Sequence, residues 1–259
     1  MKRDSIDPAE IARFDALASR WWDERGPMRA LHRMNPVRLA FIRNEICRAH
    51  RRNPTDTRSL AGLKVADIGC GAGILSEPIA RLGAEVVGVD ASANNIGAAR
   101  RHAAGAGLTI EYRETTAEAI VQSGERFDVV LALEIVEHVV DPGRFMASCA
   151  DLLRPGGRLF VSTLNRTVRS FLMAIVGAEY VLRWLPRGTH DWGRFLRPDE
   201  LAAKIESAGL RVCAKTGLVY EPFGDSWRES SDMGVNYILA AAGPEALESA
   251  RIAKEAAVA

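Results

Sequence analysis

The sequence lacks long apolar runs, paired cysteines and a strong excess of charge of either sign. No apolar run reaches the roughly 18 residues of a membrane-spanning helix, and the first residues contain no apolar segment typical of a secretory signal. The four cysteines show no Cys-x-x-Cys spacing, so neither a zinc ribbon nor a disulfide framework is indicated. A formal net charge of +1 argues against a general nucleic-acid-binding protein. We therefore expect a cytoplasmic protein with reduced thiols and no nucleic-acid partner.

A glycine-rich turn follows the first apolar strand-like segment. Residues 65–68 (Val-Ala-Asp-Ile) lead into Gly-Cys-Gly-Ala-Gly at 69–73, where a helical pattern begins. Glycine allows a tight turn and close approach of a ligand, and a helix start offers free N–H groups. The next predicted strand ends at Asp90, about 20 residues beyond the turn, where a carboxylate can accept ribose hydroxyls. Position 74 is Ile, where the dinucleotide fingerprint has Gly or Ala, so the turn favours S-adenosylmethionine (SAM) over NAD or FAD.

Strands and helices alternate from residue 64 onwards, which indicates a parallel sheet covered by helices on both faces. Strands are predicted at 64–69, 85–90, 109–114, 127–133, 158–164, 210–219 and 235–242, and helices at 73–82, 93–104, 116–122, 142–153 and 198–208. The segment 221–234 has no helical pattern and is interpreted as a loop. A direct return through that loop predicts that the last of the seven strands is antiparallel.

Two helices are predicted before the sheet. Residues 7–10 (Asp-Pro-Ala-Glu) are typical of a helix start, and apolar residues at 11, 14, 17 and 21 share one face. A second helix is predicted from Asn35 and Pro36 onwards. We expect residues 1–58 to form a helical cap, either packed on the domain or closing over the active site. Residues 59–259 would form the main domain, with a helical insertion at about 165–195.

Several motifs resemble those of known enzymes. The segments at 67–73, 88–90, 127–130 and 153–157 resemble successive motifs of class I SAM-dependent methyltransferases. The segments 14–23, 31–38 and 133–139 resemble, more narrowly, the ubiquinone biosynthesis O-methyltransferases, and the likeness covers nearly the whole chain. The resemblance implies a Rossmann-like class I methyltransferase fold. It also implies methylation of phenolic hydroxyls on polyprenylated rings at two steps of ubiquinone biosynthesis. The two acceptors would be a polyprenyl catechol and 3-demethylubiquinol.

The resemblance implies six SAM contacts: Arg38, Gly69, Gly71, Asp90, Ala117 and Leu133. Arg38 would pair with the methionine carboxylate, and Asp90 would take the ribose hydroxyls. Gly69 would let the backbone touch the amino-acid part of SAM, and Ala117 would flank the adenine. Leu133 stands where the family often has Met. From the residues alone, Arg38 could equally pair with a surface acid, and Leu133 could belong to the core.

Three side chains near the end of the fourth strand are candidates for the chemistry. A phenol near pKa 10 is mostly protonated at pH 7, so a base or a metal ion is needed to remove its proton. Glu134, Glu137 and His138 lie within five residues and could bind one divalent cation such as Mg²⁺, as the resemblance also implies. The alternatives are that the two acids are solvated and that His138 caps a helix or acts as a metal-free general base.

The segment 166–187 is apolar and flanked by arginines at 166, 169, 183 and 187. Such a segment suits a membrane interface, but its apolar run is too short to span a bilayer. It could equally be a cap helix packed on the domain or on a second subunit. The expected partners are the polyprenyl substrate, anionic lipids on the inner face of the membrane and other ubiquinone-biosynthesis proteins. His190, Asp191 and Trp192 follow the segment, and no role is predicted for them.

Other functions are less consistent with the sequence. A class I methyltransferase acting on another small-molecule acceptor stays open, because the acceptor pocket is not readable from sequence. A methyltransferase of exocyclic base amines usually has Asn/Asp-Pro-Pro-aromatic after the fourth strand, and this chain has Leu-Glu-Ile-Val there. The acidic and histidine residues beside the cofactor site argue against a non-catalytic SAM-binding protein. The glycine spacing argues against an NAD-dependent oxidoreductase.

Overall fold

The computed structural model describes residues 7–15, 17–173, 191–245 and 247. Eight strands in these ranges form one sheet. They are β1 (Lys64–Ile68), β2 (Glu85–Asp90), β3 (Glu111–Glu114), β4 (Phe127–Leu133), β5 (Leu153–Leu164), β6 (Arg211–Glu221), β7 (Ser226–Ser230) and β8 (Asn236–Ala242). The helices are α1 (Pro8–Asp15), α2 (Arg29–His50), α3 (Ser76–Arg81), α4 (Ala93–Gly105), α5 (Ala117–Gln122), α6 (Pro142–Asp151), α7 (Val168–Ser170) and α8 (Pro198–Ser207).

The strand order is β3-β2-β1-β4-β5-β8-β6-β7. The first five strands pair in parallel, because a helix or helical segment returns the chain between them. The last strand, β8, runs antiparallel to both of its neighbours, β5 and β6. The predicted α/β fold with a mostly parallel sheet and an antiparallel last strand is therefore confirmed.

The structure differs from the sequence prediction at three places. The segment 221–234 is not a plain loop, because Ser226–Ser230 forms an eighth strand, β7, paired antiparallel with β6. The second helix begins at Arg29 rather than at Asn35, and Pro36 lies inside it. Strand β5 begins at Leu153, earlier than the predicted start at 158, and its pairing with β4 is irregular between Phe127 and Val129.

The core lies on both faces of the sheet. One cluster joins buried strand residues to helices α5, α6 and α8, including Phe145, Met146 and Leu201. The cluster on the other face joins strand residues to α2, where the rings of Phe41 and Phe160 meet edge to face at 6.4 Å. Helix α2 therefore packs directly on the sheet. Among the described residues, no helix combines the length and apolar composition needed to cross a bilayer.

Candidate active site

Two adjoining cavities lie at the carboxyl ends of β1, β2 and β4, each with a volume of about 130 Å³. Ligands bind at this edge in open α/β sheets, because the strands end there and the following loops diverge. Five residues line both cavities: Phe14, Trp21, Gly69, Glu134 and His138. The cavities are therefore two parts of one site, and the glycine-rich turn after β1 lies between them.

The first cavity contains the carboxylate at the end of β2. Asp90 and Ala117 both line this cavity. The Asp90 carboxylate accepts hydrogen bonds from the backbone N–H groups of Gly71 and Ser92, at 2.9 and 2.8 Å, and from the Asn95 amide at 3.3 Å. An ionised carboxylate has about four acceptor positions, so capacity for a further donor remains. Burial raises the pKa of Asp90 above its ordinary value, although these three donors oppose the effect.

The glycine-rich turn needs its glycines for conformation and for space. Gly69 and Gly71 have φ of 73° and 53°, in the left-handed region that disfavours other residues. A Cβ on Gly69 would lie 2.1 Å from the side chain of Ile135, and one on Gly71 would lie 2.3 Å from the ring of Trp21. Gly69 lines both cavities, whereas Gly71 is in the lining of neither. The structure thus places Gly71 beneath Trp21 and in contact with Asp90.

The second cavity contains a buried guanidinium. Arg38 is 4% exposed and donates to Asn35 at 3.2 Å, but its Nε has no hydrogen-bond partner among the described residues. Burial lowers the pKa of Arg38, and the nearby Glu134 and Asp67 carboxylates oppose that effect. Leu133 lines the same cavity at the end of β4 and is 9% exposed. A buried cation with an unused donor is suited to bind a carboxylate.

Asp67 lies beneath the turn in the same cavity. It is 3% exposed and accepts a hydrogen bond of 2.6 Å from the Ser76 hydroxyl. Burial raises the pKa of Asp67 to about 6, against the lowering effects of Ser76 and Arg38. Asp67 therefore contributes to the electrostatics around Arg38.

Glu134 occupies a strained position where β4 ends. Its φ is 52°, an uncommon conformation for a residue with a side chain. Its backbone N–H donates to the carbonyl and the hydroxyl of Ser162, at 3.1 and 3.2 Å, and the Ser162 hydroxyl donates back to the Glu134 carboxylate at 2.8 Å. Ser162 is fully buried, so this pair fixes the Glu134 carboxylate in the wall of both cavities.

Glu137 and His138 follow in a short helical turn (Val136–His138) and have different surroundings. Glu137 is 4% exposed, and its Oε2 has no hydrogen-bond partner among the described residues. Burial raises the pKa of Glu137 above its ordinary value. Nδ1 of His138 lies 2.7 Å from Oε2 of Glu10, and the ring meets that of Phe14 edge to face at 5.0 Å.

Two of the three predicted metal ligands have hydrogen-bond partners within the protein. The Glu134 carboxylate is hydrogen-bonded to Ser162, and the His138 imidazole is hydrogen-bonded to Glu10. Across residues 7–15, 17–173, 191–245 and 247, no three His, Cys, Asp or Glu side chains are grouped so that they could hold a metal ion. The charges of Glu134 and His138 both act on the Glu137 carboxylate, so the three groups are near one another.

The N-terminal segment covers the site and carries residues that the sequence interpretation assigned only to a helix start or an apolar face. Asp15 accepts a hydrogen bond from Ser92, and Asp7 pairs with Arg194 at 2.9 Å. Trp21 and Phe14 line both cavities. Glu10 was interpreted as a capping residue, yet it reaches His138. The available signal was its position four residues before Phe14, on the face that packs on the domain.

The predicted insertion lies largely outside the described residues. Residues 174–190, including Arg183, Arg187 and His190, are not described. Arg166 and Arg169, which flank the segment that suits either a membrane interface or a packed cap helix, pair with Glu200 and Asp232. Five apolar side chains beside residues 174–190 are exposed: Val168, Phe171, Leu172, Met173 and Trp192.

Comparisons with known proteins identify relatives over nearly the whole chain. Residues 38–215 match the Methyltransferase domain family. A ubiquinone biosynthesis O-methyltransferase of Methylobacterium nodulans is 57% identical over 242 residues, which cover 93% of this chain and 97% of the relative. A protein of the same name from Chelativorans sp. is 52% identical over 245 residues, covering 95% of this chain and 97% of that protein.

Solved structures share the fold at low sequence identity. Magnesium protoporphyrin IX methyltransferase from Synechocystis, with bound SAM, has a TM-score of 0.58 and 18% identity, covering 93% of this chain and 100% of that chain. A SAM-dependent methyltransferase from Thermotoga maritima has a TM-score of 0.57 and 18% identity, covering 90% of this chain and 98% of that chain. At these identities the two structures support the class I methyltransferase fold.

Proposed function

This chain belongs to the ubiquinone biosynthesis O-methyltransferases, SAM-dependent enzymes, and we propose that it methylates phenolic hydroxyls of polyprenylated rings, namely a polyprenyl catechol and 3-demethylubiquinol. The observation that carries this proposal is 57% identity over 97% of a relative of that name. The two cavities described above provide the residues on which the proposed chemistry depends.

The residues of the two cavities fit SAM. In the first cavity, Asp90 has remaining capacity to accept ribose hydroxyls, and Ala117 offers an apolar wall for the adenine. In the second cavity, Arg38 has a buried, unused Nε–H that would bind the methionine carboxylate. Gly69 lies between them, where the lack of a Cβ leaves space for the part of the cofactor that joins the two ends. Gly71 would support this contact by holding the Asp90 carboxylate through its backbone N–H.

When bound, SAM supplies the methyl group. This group is attached to a sulfonium sulfur, and that sulfur is already a good leaving group. The chain must then orient the acceptor oxygen and remove its proton. His138 lines both cavities and is the proposed base that accepts the phenol proton. Its Nδ1 is engaged with Glu10, so Nε2 is the nitrogen left to accept that proton.

The acceptor ring is proposed to occupy the second cavity beside Leu133. Its wall is mostly apolar, which suits an aromatic ring with an isoprenoid tail. The residues that make it so include Leu17, Pro27, Met28, Leu31, Ile74 and Leu75. The exposed apolar residues around Phe171 and Leu172 lie at the same end of the sheet, after β5. We extend the proposal to peripheral contact with anionic lipids at the cytoplasmic face of the membrane, through the insertion.

The direct test is methyl transfer with defined acceptors. Purified protein is incubated with methyl-labelled SAM and either a polyprenyl catechol or the demethylated quinol, and the products are analysed by mass spectrometry. A labelled methyl on a ring oxygen of either acceptor supports the proposal, and His138→Asn measured alongside tests the base. Transfer to neither acceptor, from a protein shown by calorimetry to bind SAM, rules out the proposed substrate class.

A further inference from the structure

Helix α1 places the carboxylate of Glu10 beside the imidazole of His138, which is the base in the proposed function. Oε2 of Glu10 lies 2.7 Å from Nδ1 of His138, although the residues are 128 positions apart in the chain. Glu10 is 8% exposed despite its charge. The hydrogen bond from His138 holds the pKa of Glu10 below its ordinary value. The contact therefore joins a buried carboxylate to a ring nitrogen that donates to it.

The surroundings hold Glu10 in place from both sides. Arg13, one turn further along α1, donates to Oε1 of Glu10 at 2.6 Å. Arg194, on the short helical turn Trp192–Arg194, lies 3.9 Å from the same oxygen and pairs with Asp7 at 2.9 Å. Oε1 thus faces two guanidiniums while Oε2 is directed to His138. Such a division of the two oxygens fixes the carboxylate plane.

The ring of His138 is fixed by a second contact from the same helix. Phe14, four residues after Glu10, packs edge to face on the imidazole with centroids 5.0 Å apart. Residues at this spacing lie on one face of a helix. One helix face therefore supplies both the hydrogen-bond partner and the packing surface of His138.

From this geometry we propose that Glu10 is a positioning residue for methyl transfer, which holds His138 in the Nδ1–H tautomer and so keeps Nε2 free to accept the acceptor proton. The inference rests on the proposed function. An orienting carboxylate on the far nitrogen of a catalytic histidine stabilises both the correct tautomer and the imidazolium that forms. Because Glu10 belongs to the cap, the base is complete only when α1 is docked on the domain.

The test is a double-mutant cycle between the two residues. Glu10→Ala should lower kcat by roughly tenfold or more while the Kd for SAM changes less than about threefold, because Glu10 acts through His138. In the His138→Asn background, Glu10→Ala should cost little further activity. Glu10→Gln, which keeps an acceptor oxygen, should retain more activity than Glu10→Ala. An equal loss in both backgrounds would show that Glu10 acts only through stability and would overturn the proposal.

Asp15→Asn is the matched control on the same helix. Asp15 ties α1 to Ser92 and does not contact His138 in the described structure. If docking of the helix were the whole effect, Asp15→Asn would lower kcat as much as Glu10→Ala, and the positioning role would be rejected. The expected result is a smaller loss of kcat in Asp15→Asn.

A spectroscopic measurement separates this inference from the proposed function. In ¹⁵N-histidine NMR spectra, the signals of His138 are identified by their loss in His138→Asn. The parent should show a protonated Nδ1, and Glu10→Ala should shift the ring towards the Nε2–H tautomer. An unchanged tautomer in Glu10→Ala contradicts the positioning role whichever acceptor is the substrate. A failure to methylate the polyprenyl phenols, with the tautomer shift observed, contradicts only the proposed substrate.

Discussion

The backbone N–H of Gly71 donates to Oδ2 of Asp90 at a distance of 2.9 Å. This bond joins the turn after β1 to the end of β2, the two places where the sequence predicted cofactor contacts. The Cα of Gly71 also lies beneath the ring of Trp21, where a Cβ would come within 2.3 Å of the ring. One glycine therefore contacts both the Asp90 carboxylate and the ring of Trp21.

We expect Gly71→Ala to weaken SAM binding and loosen the cap. The new methyl group displaces Trp21, and the strained φ pulls the N–H away from Asp90. The Kd for SAM, measured by calorimetry, should rise at least about tenfold, and the tryptophan fluorescence should shift to longer wavelength.

Gly107→Ala is the matched control for that substitution. Gly107 also has a positive φ, 68°, but a Cβ there meets nothing within 4 Å. Gly107→Ala should lower the free energy of unfolding by about 1 kcal/mol through backbone strain, without changing the affinity for SAM. Equal effects of the two substitutions on SAM binding would contradict the role given to Gly71.

Arg38→Met should remove most of the affinity for the methionine end of SAM. A charge-assisted hydrogen bond contributes about 1.5–3 kcal/mol, so the Kd should rise roughly 10- to 100-fold. The same change should not lower the free energy of unfolding severely, because Met replaces a buried charge with an apolar chain of similar length. Arg48→Met on the same helix, at a side chain 72% exposed, should leave the Kd unchanged.

Asp90→Ala should abolish protection of the protein by SAM in a thermal-shift assay. The Asp90 carboxylate lines the first cavity at the end of β2 and is the proposed acceptor of the ribose hydroxyls. NAD should not protect the parent protein. Undiminished SAM protection in the variant would show that the ribose lies elsewhere.

The buried Asp67 should make stability fall as pH rises through weak acidity. The pKa of Asp67 is about 6 in the fold against 3.8 for an ordinary aspartate, so between these values the unfolded chain binds fewer protons. The neutral form is favoured in the fold, and its contribution is lost as pH rises from about 4 to 6. The loss is about 3 kcal/mol by the linkage relation.

Asp67→Asn should remove this dependence, because the amide oxygen still accepts from Ser76 and never ionises. Urea unfolding without SAM should show the variant gaining stability over the parent by about 3 kcal/mol between pH 4 and pH 7. Parallel stability curves for the two proteins would mean that Asp67 ionises normally in the fold.

The central strands were predictable because buried strands consist almost entirely of apolar residues. The run from Phe127 to Leu133 is almost wholly apolar, and it is β4, flanked by strands on both sides. A strand covered on both faces needs apolar side chains at every position, and this pattern depends only on the local sequence. The glycine turn is local for the same reason, because its conformation limits the residues that it accepts.

The elements that were missed depend on contacts between distant residues. Strand β7 contains Trp227 and Arg228 but also two serines and a glutamate, so its composition does not indicate a strand. It forms because β6 offers it an edge for pairing. Likewise, helix α2 passes through Pro36, since its buried face packs on the sheet over many turns.

The sequence by itself determined the positions of the first five strands, the glycine turn and the acid at Asp90, because each follows from the burial and backbone conformation of adjacent residues. The tertiary structure decided that Glu10 meets His138 and that Ser162 holds Glu134. Such pairings depend on the direction of side chains from elements far apart in the chain. No local pattern records that direction, because it is set only when the helices and the sheet have packed together.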